Sequence, residues 1–181
     1  MRGRQIQEYH IFIASPGDVA AERGLVRAYF DNFNRNAGLA RRVRLQVVDW
    51  ENFSTAGVGR PQELITKQTL ERFRASLVLV IVVMAQRFGT PSGEAESGTE
   101  EEVRRALDSN AESGFPEVKC FFREIEQFVA PPDPERIAEA LEQWQHVMQF
   151  RREIETGRSM LIKKYAGPES FDSVLREDLG V

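Results

Sequence analysis

The stretch "AESGTEEEVRRAL", residues 95–107, sets three consecutive glutamates directly behind Ser-Gly-Thr, where an amphipathic helix is expected to begin. A carboxylate held at such a place can stabilise a cationic transition state or move a proton; it can also simply start a helix. The starting chemistry is plain to see. Thr99 and Glu102 form Thr-x-x-Glu, the pattern of a capping box, and acidic residues in a first turn are favoured by the helix dipole. The two readings are compatible. At about 100° per residue, Val103, Ala106 and Leu107 mark the buried stripe, so Glu101 lies nearly opposite and is expected to be solvated, while Glu100 and Glu102 flank the stripe. Periodicity does not choose between Glu100 and Glu102.

Two other segments carry residues able to meet a ligand. In "SPGD", Ser15–Asp18, either Asp18 or Ser15 can cap the helix that follows, and Gly17 can supply a turn that other residues would strain. The functional alternative is that free amides at this helix start receive a phosphate or a ribose hydroxyl. Asp18 would repel a close phosphate, so ribose suits its side chain better. "QRFGTPSGEAESG", Gln86–Gly98, has 13 residues where such loops usually have about 2–6, a length that favours function or mobility. It brings Arg87, which can pair with a phosphate or stand as a surface cation, together with Gly89, Thr90 and Ser97, and leads into Thr99 and Glu100.

Several other chemistries find no support. "GTPSG" lacks the Gly-Lys-Ser/Thr end of a phosphate-binding loop, and no Gly-x-Gly-x-x-Gly follows the first apolar run. His10, His146 and Cys120 are too few and too scattered for a metal site, so no metal is expected; Cys120 sits in an apolar run and reads as core. Trp144, Val147, Met148 and Phe150 read as packing residues of a long helix with a wet charged face.

The elements that must position these residues come from the apolar pattern. Five runs recur, Tyr9–Ala14, Val43–Trp50, Leu77–Ala85, Val118–Phe122 and Met160–Tyr165, and they read as strands. Between and after them lie helical periods at Asp18–Asn36, Pro61–Phe73, Thr99–Asn110, Pro134–Glu155 and Ser170–Asp178, the last ending at Gly180. Strict alternation, with runs such as "LVLVIVVMA" that are apolar throughout, predicts a parallel sheet covered on both faces. Right-handed crossovers favour a three-layer, flavodoxin-like, doubly wound α/β sheet of order 2-1-3-4-5. In that order ligands bind beyond the carboxyl ends of strands one and three, which the loops after Ala14 and Ala85 should line, with a third contribution from Asp49–Pro61.

Composition agrees with one such domain over residues 1–181: 41% of the residues are hydrophobic, enough for one core. With 24 basic and 28 acidic residues the chain has no cationic excess for gripping nucleic acid. One cysteine rules out an internal disulfide, no signal-like start is seen, and the longest apolar run is nine residues against the roughly 20 of a spanning helix. The expectation is a protein of the reducing cytoplasm, without membrane contact.

The stretches "FIASPGDVAAER", "VDWE", "GRPQE", "RFGTPSG", "SGTEEEVRRAL" and "FDSVLREDL" occur in one order across nearly the whole chain. In that order the sequence resembles a family of unknown function grouped with the TIR and nucleoside deoxyribosyltransferase-like folds, with Ala14 and Ser92 as small departures from its usual serine and threonine. The resemblance implies a compact domain often placed at the N-terminus of signalling, NTPase or repeat proteins, some tied to defence. Enzymes of the wider group cleave the N-glycosidic bond of NAD or nucleosides with a glutamate. The deoxyribosyltransferase motif Gly-Thr-x-x-Glu falls on Gly98, Thr99 and Glu102, so the resemblance selects Glu102 as the catalytic residue. Ser15, Gly17, Asp18, Arg87, Gly89, Thr90, Ser97, Thr99 and Glu100 are then expected to shape the pocket. The implied ligand is NAD or a related nucleotide as substrate, with no cofactor. Implied partners are further copies of the domain or an attached effector, and the alternative to catalysis is a nucleotide-binding or homotypic module that switches that effector.

Overall fold

The computed structural model describes residues 5–49, 73–89, 97–158 and 160–180. Five strands, β1 (Gln7–Ala14), β2 (Val43–Val48), β3 (Leu77–Met84), β4 (Glu117–Arg123) and β5 (Lys163–Tyr165), form one parallel sheet in the order β2-β1-β3-β4-β5. This is the expected doubly wound arrangement. The major helices are α1 (Ala20–Phe33), α2 (Gly98–Ser113), α3 (Ile137–Gly157) and α4 (Pro168–Leu179).

The continuous apolar run of β3 is what a central strand needs, because both faces are covered: Val80 to Met84 are all 0% exposed. Alternate residues serve opposite layers. Phe12, Val80, Val82, Cys120 and Phe122 pack in one cluster with Val103 of α2 and Val147, Phe150 and Ile154 of α3. Ile11, Ile13, Ile81 and Phe121 pack in the other with Val26 and Phe30 of α1 and Phe171 and Leu175 of α4. Cys120 is core as expected, and burial pushes its thiol up to about 12. In α3, Val147 and Phe150 are buried as packing residues, whereas Met148 is 38% exposed.

Element ends depart from the periodic pattern for local reasons. The first helix does not stop at Asn36: it passes through a π-helical turn, Asn34–Gly38, and a last turn, Leu39–Arg41. That turn lays the Asn34 amide along the edge strand, where it donates to the Leu45 carbonyl at 2.8 Å and accepts from the Leu45 amide at 2.9 Å. Gly38 permits the approach, since a Cβ there would stand 2.7 Å from the Val43 carbonyl oxygen. The expected second strand ends at Val48, short of Trp50, and the fifth begins only at Lys163, although Ile162 before it is buried. The helix expected at Pro61–Phe73 lies outside the described residues apart from Phe73, as does the Asp49–Pro61 loop apart from Asp49. Among the described residues no helix is long and apolar enough to cross a membrane.

Candidate functional site

The turn after β1 is fixed from within the protein. Arg23, 3% exposed on α1, donates Nη1 to the Pro16 carbonyl at 2.7 Å and to Ser15 Oγ at 3.3 Å. Ser15 is thus a buried structural hydroxyl, 2% exposed. Neither Ser15 nor Asp18 caps the following helix; no side chain does so at either of its N-cap positions, Pro16 and Val19. Asp18 instead reaches across to the exit of β3, where its Oδ2 accepts from the amides of Gln86 and Arg87, both at 2.9 Å. One oxygen of the expected ribose ligand is therefore spent on tying two loops together. Its Oδ1 is buried and has no hydrogen-bond partner among the described residues. Gly17 does not have a positive φ, so the turn makes no conformational demand for glycine; a Cβ would meet Arg87 Nη1 at an ordinary 3.7 Å.

The exit of β3 is held from the other side by Gln143 of α3, whose Oε1 accepts from the amides of Phe88 and Gly89 at 2.8 and 2.9 Å. Gly89 has φ +113°, and a Cβ there would come 3.2 Å from Cβ of Ser97, so both conformation and space call for glycine. Ser97, fully buried, accepts the Glu100 amide at 3.0 Å and is the N-cap of α2. The capping box expected from Thr99 and Glu102 is not formed; "SGTE" two residues earlier supplies the cap, and Thr99 lies buried in the first turn. Ser97→Ala should cost about 1–2 kcal/mol, read as a lower midpoint in urea with unchanged slope. Thr99→Ala should leave the cap intact.

The three glutamates part company at this helix start. Glu100 is 8% exposed and accepts from Arg104 Nε at 2.8 Å, while Arg104 also forks onto Glu153 at 2.7 and 2.9 Å. Glu101, expected to be solvated, is 7% exposed and pairs with Arg105 at 2.7 Å. The one-stripe wheel fails because the whole stretch from Ser97 to Val103 is buried; the first turn of α2 is covered on every side. Glu102 is 5% exposed, and among the described residues no hydrogen bond or ion pair engages its carboxylate. Burial, and then the charge of Glu101, push its carboxyl up to about 8. Glu100 is thus committed to an arginine, whereas Glu102 has no described partner. Gly89, a few residues past β3, lies against Ser97 at the N-cap of α2, so the helix start that carries Glu102 sits by the exit of β3.

A cleft of about 670 Å³ opens over the carboxyl ends of β3 and β4. Asp18 and Arg87 line it, together with Gln86, Arg123, Arg136 and Gln143; Glu102 does not. The expected residues therefore fall into two groups. Asp18 and Arg87 belong to the cleft, with Ser15 and Gly17 in the turn just before Asp18. Gly89, Ser97, Thr99, Glu100 and Glu102 gather at the start of α2. The short segment Ala85–Gly89 joins the two, and Thr90 lies outside the described residues. Arg123 and Gln143 were not legible as site residues. Arg123 ends an apolar strand run, a sign that it reaches the sheet's carboxyl edge, whereas Gln143 is one of many polar residues on its helix and carries no such signal.

No curated protein and no solved structure matches this chain. One family does, and its match runs over residues 10–180, from within β1 through α4, taking in both groups of residues just described. The chain belongs to that family, described as a domain of unknown function, DUF4062.

Proposed function

We propose that this chain is a TIR-like, nucleoside deoxyribosyltransferase-like domain that cleaves the N-glycosidic bond of NAD or a related nucleotide, with Glu102 as its central carboxylate, in the signalling or defence setting the resemblance implies. The observation that carries this reading is the Glu102 side chain itself: buried, without a described partner, and held up to about 8. A carboxyl kept in that state is unfavourable for folding and is characteristic of functional sites. Its natural complement is a positive charge.

A pyridinium ribosyl group brings that charge. On binding, it favours the ionised form of Glu102, which then faces C1′ as the bond to the ring nitrogen lengthens. The bonding pair leaves with nicotinamide, which departs neutral and needs no proton. The oxocarbenium-like C1′ is stabilised or trapped by the carboxylate, and water completes the reaction by adding hydroxyl to C1′ and releasing one proton. A neutral nucleoside would need an acid for its leaving base. Asp18 is held by two amides and Glu100 by Arg104, so neither supplies one. If Glu102 gave up its own proton, no second unpaired carboxylate would remain on that turn, because Glu101 is held by Arg105.

Incubating the purified chain with NAD and, separately, with adenosine tests this by chromatography of the released base. Nicotinamide should appear and adenine should not, and kcat/KM should rise with pH through the free-protein value of about 8, since the ionised carboxylate is the working form. Equal cleavage of both substrates would overturn the preference for a cationic leaving group. Saturable binding without release, under conditions where the chain self-associates, would replace turnover with a binding role that switches an attached effector.

A further inference from the structure

We propose that the cleft over β3 and β4 binds a nucleoside diphosphate, and so receives the phosphate-bearing half of a dinucleotide whose other half lies at the start of α2. Only the identity of that other half rests on the reading of Glu102; the cleft is argued from its own walls. Its volume of about 670 Å³ is that of a small-ligand site, and it lies outside the carboxyl ends of β3 and β4, beside the β1/β3 reversal where open parallel sheets bind ligands, with Asp18 from the loop after β1 in its wall.

The cleft is also pre-formed. The Gln86 side chain donates to the Val129 carbonyl at 2.7 Å and accepts from the Val129 amide at 3.2 Å, which ties the loop after β4 to the exit of β3. Ala85, Ile125, Pro131 and Ala140 give it apolar walls of the kind a base or sugar face requires.

Three arginines line this space, Arg87, Arg123 and Arg136. Arg123 is held in place by the fully buried carboxylate of Glu22. Arg87 and Arg136 have no carboxylate partner among the described residues, unlike Arg104, Arg105, Arg158 and Arg176 elsewhere on the surface. Cations left unpaired in one cleft are suited to charge-assisted, forked contacts with phosphate oxygens. Four carboxylates also line the cleft: Glu124, Glu126 and Glu139, all three exposed, and Asp18, whose Oδ2 is taken by the amides of Gln86 and Arg87 and which keeps phosphate toward the Arg136 side. The mixed rim disfavours a bare polyanion and suits a ligand that carries hydroxyls as well as phosphate, which is the chemistry of a nucleotide.

The test is isothermal titration of the whole chain with ADP, adenosine and inorganic pyrophosphate. ADP should bind saturably, and more tightly than either of the other two. The double variant Arg87→Ala/Arg136→Ala, both exposed positions, should weaken ADP by about tenfold or more, while Glu102→Gln should bind it like the parent. The proposal is overturned if ADP does not bind, if adenosine or pyrophosphate binds as well as ADP, or if the double variant binds ADP unchanged. ADP binding with no nicotinamide release would sink the Glu102 reading and leave the cleft standing; release without ADP binding would do the reverse.

Discussion

Glu102→Gln should make the protein more stable at neutral pH and, at the same time, inactive. The sign follows from linkage. In the folded protein the carboxyl titrates at about 8, against an ordinary value of 4.5. Below the ordinary value both states are protonated and folding carries no penalty. Above it the unfolded chain ionises while the folded one resists, so stability is lost progressively as pH rises through the folded value. At pH 7 the gap amounts to about 3 kcal/mol at 1.36 kcal/mol per unit, taken from a carboxyl held at about 8 instead of 4.5. Glutamine has the same shape and no charge to desolvate, though its amide also lacks a described partner, so a gain of about 1–3 kcal/mol is expected. Thermal melts from pH 5 to 9 should show wild type falling relative to the variant across that range. Nicotinamide release should fall by about 10²–10³-fold or more. A carboxylate kept for structure gives the opposite pattern: neutralising it lowers stability.

Removing Arg123 is expected to be among the most damaging single changes to the fold. Its guanidinium pairs with Glu22, which is 0% exposed, and lies 5.8 Å from the centre of the Tyr165 ring. Burial and the negative charge of Glu22 together push the Tyr165 phenol well above its usual range, so the tyrosine stays neutral beside the pair. The three residues join α1, β4 and β5 at the carboxyl edge of the sheet. Arg123→Met leaves a buried carboxylate without its cation and should cost about 3–5 kcal/mol. Adding Glu22→Leu should recover much of that loss, because two well-packed apolar residues no longer need each other. Urea unfolding of both single variants and the double variant measures the coupling; additive losses would contradict a mutually dependent pair. The double variant should still have lost affinity for ADP, since the cleft would lose one of the three arginines that line it.

The fold was legible because strand burial left an unambiguous record. A run like "LVLVIVVMA" has no polar alternation to mislead, and each such run is separated from the next by a helical period or by a crossover long enough to hold one. Cys120 read as core for the same reason. The helix start at residues 97–103 was harder. "SGTE" and "TEEE" both spell a cap, and nothing in the pattern says which serine or threonine takes the amide; Ser97 does, close against Gly89 from the exit of β3. Glu101 departs from the expectation because a helical wheel assumes one wet side, and the buried first turn of α2 has none. Asp18 does not cap the helix after β1, and the tie it makes instead was not legible because its partners, the amides of Gln86 and Arg87, are 68 and 69 residues away in sequence. Pairing of a side chain with distant backbone leaves no periodic trace. Periodicity does not separate Glu102 from Glu100 and the deoxyribosyltransferase resemblance points to Glu102; the pairing of Glu100 with Arg104 is a local contact that a helical wheel does not show.

The most direct measurement is a carboxyl-carbon NMR titration of Glu102, assigned by the resonance that disappears in Glu102→Gln. A midpoint near 8 in the free protein, moving downward when NAD binds, is the expected result. A midpoint near the ordinary 4.5, unmoved by NAD, would mean that Glu102 is solvated or already paired and that no charge is waiting there for a ligand.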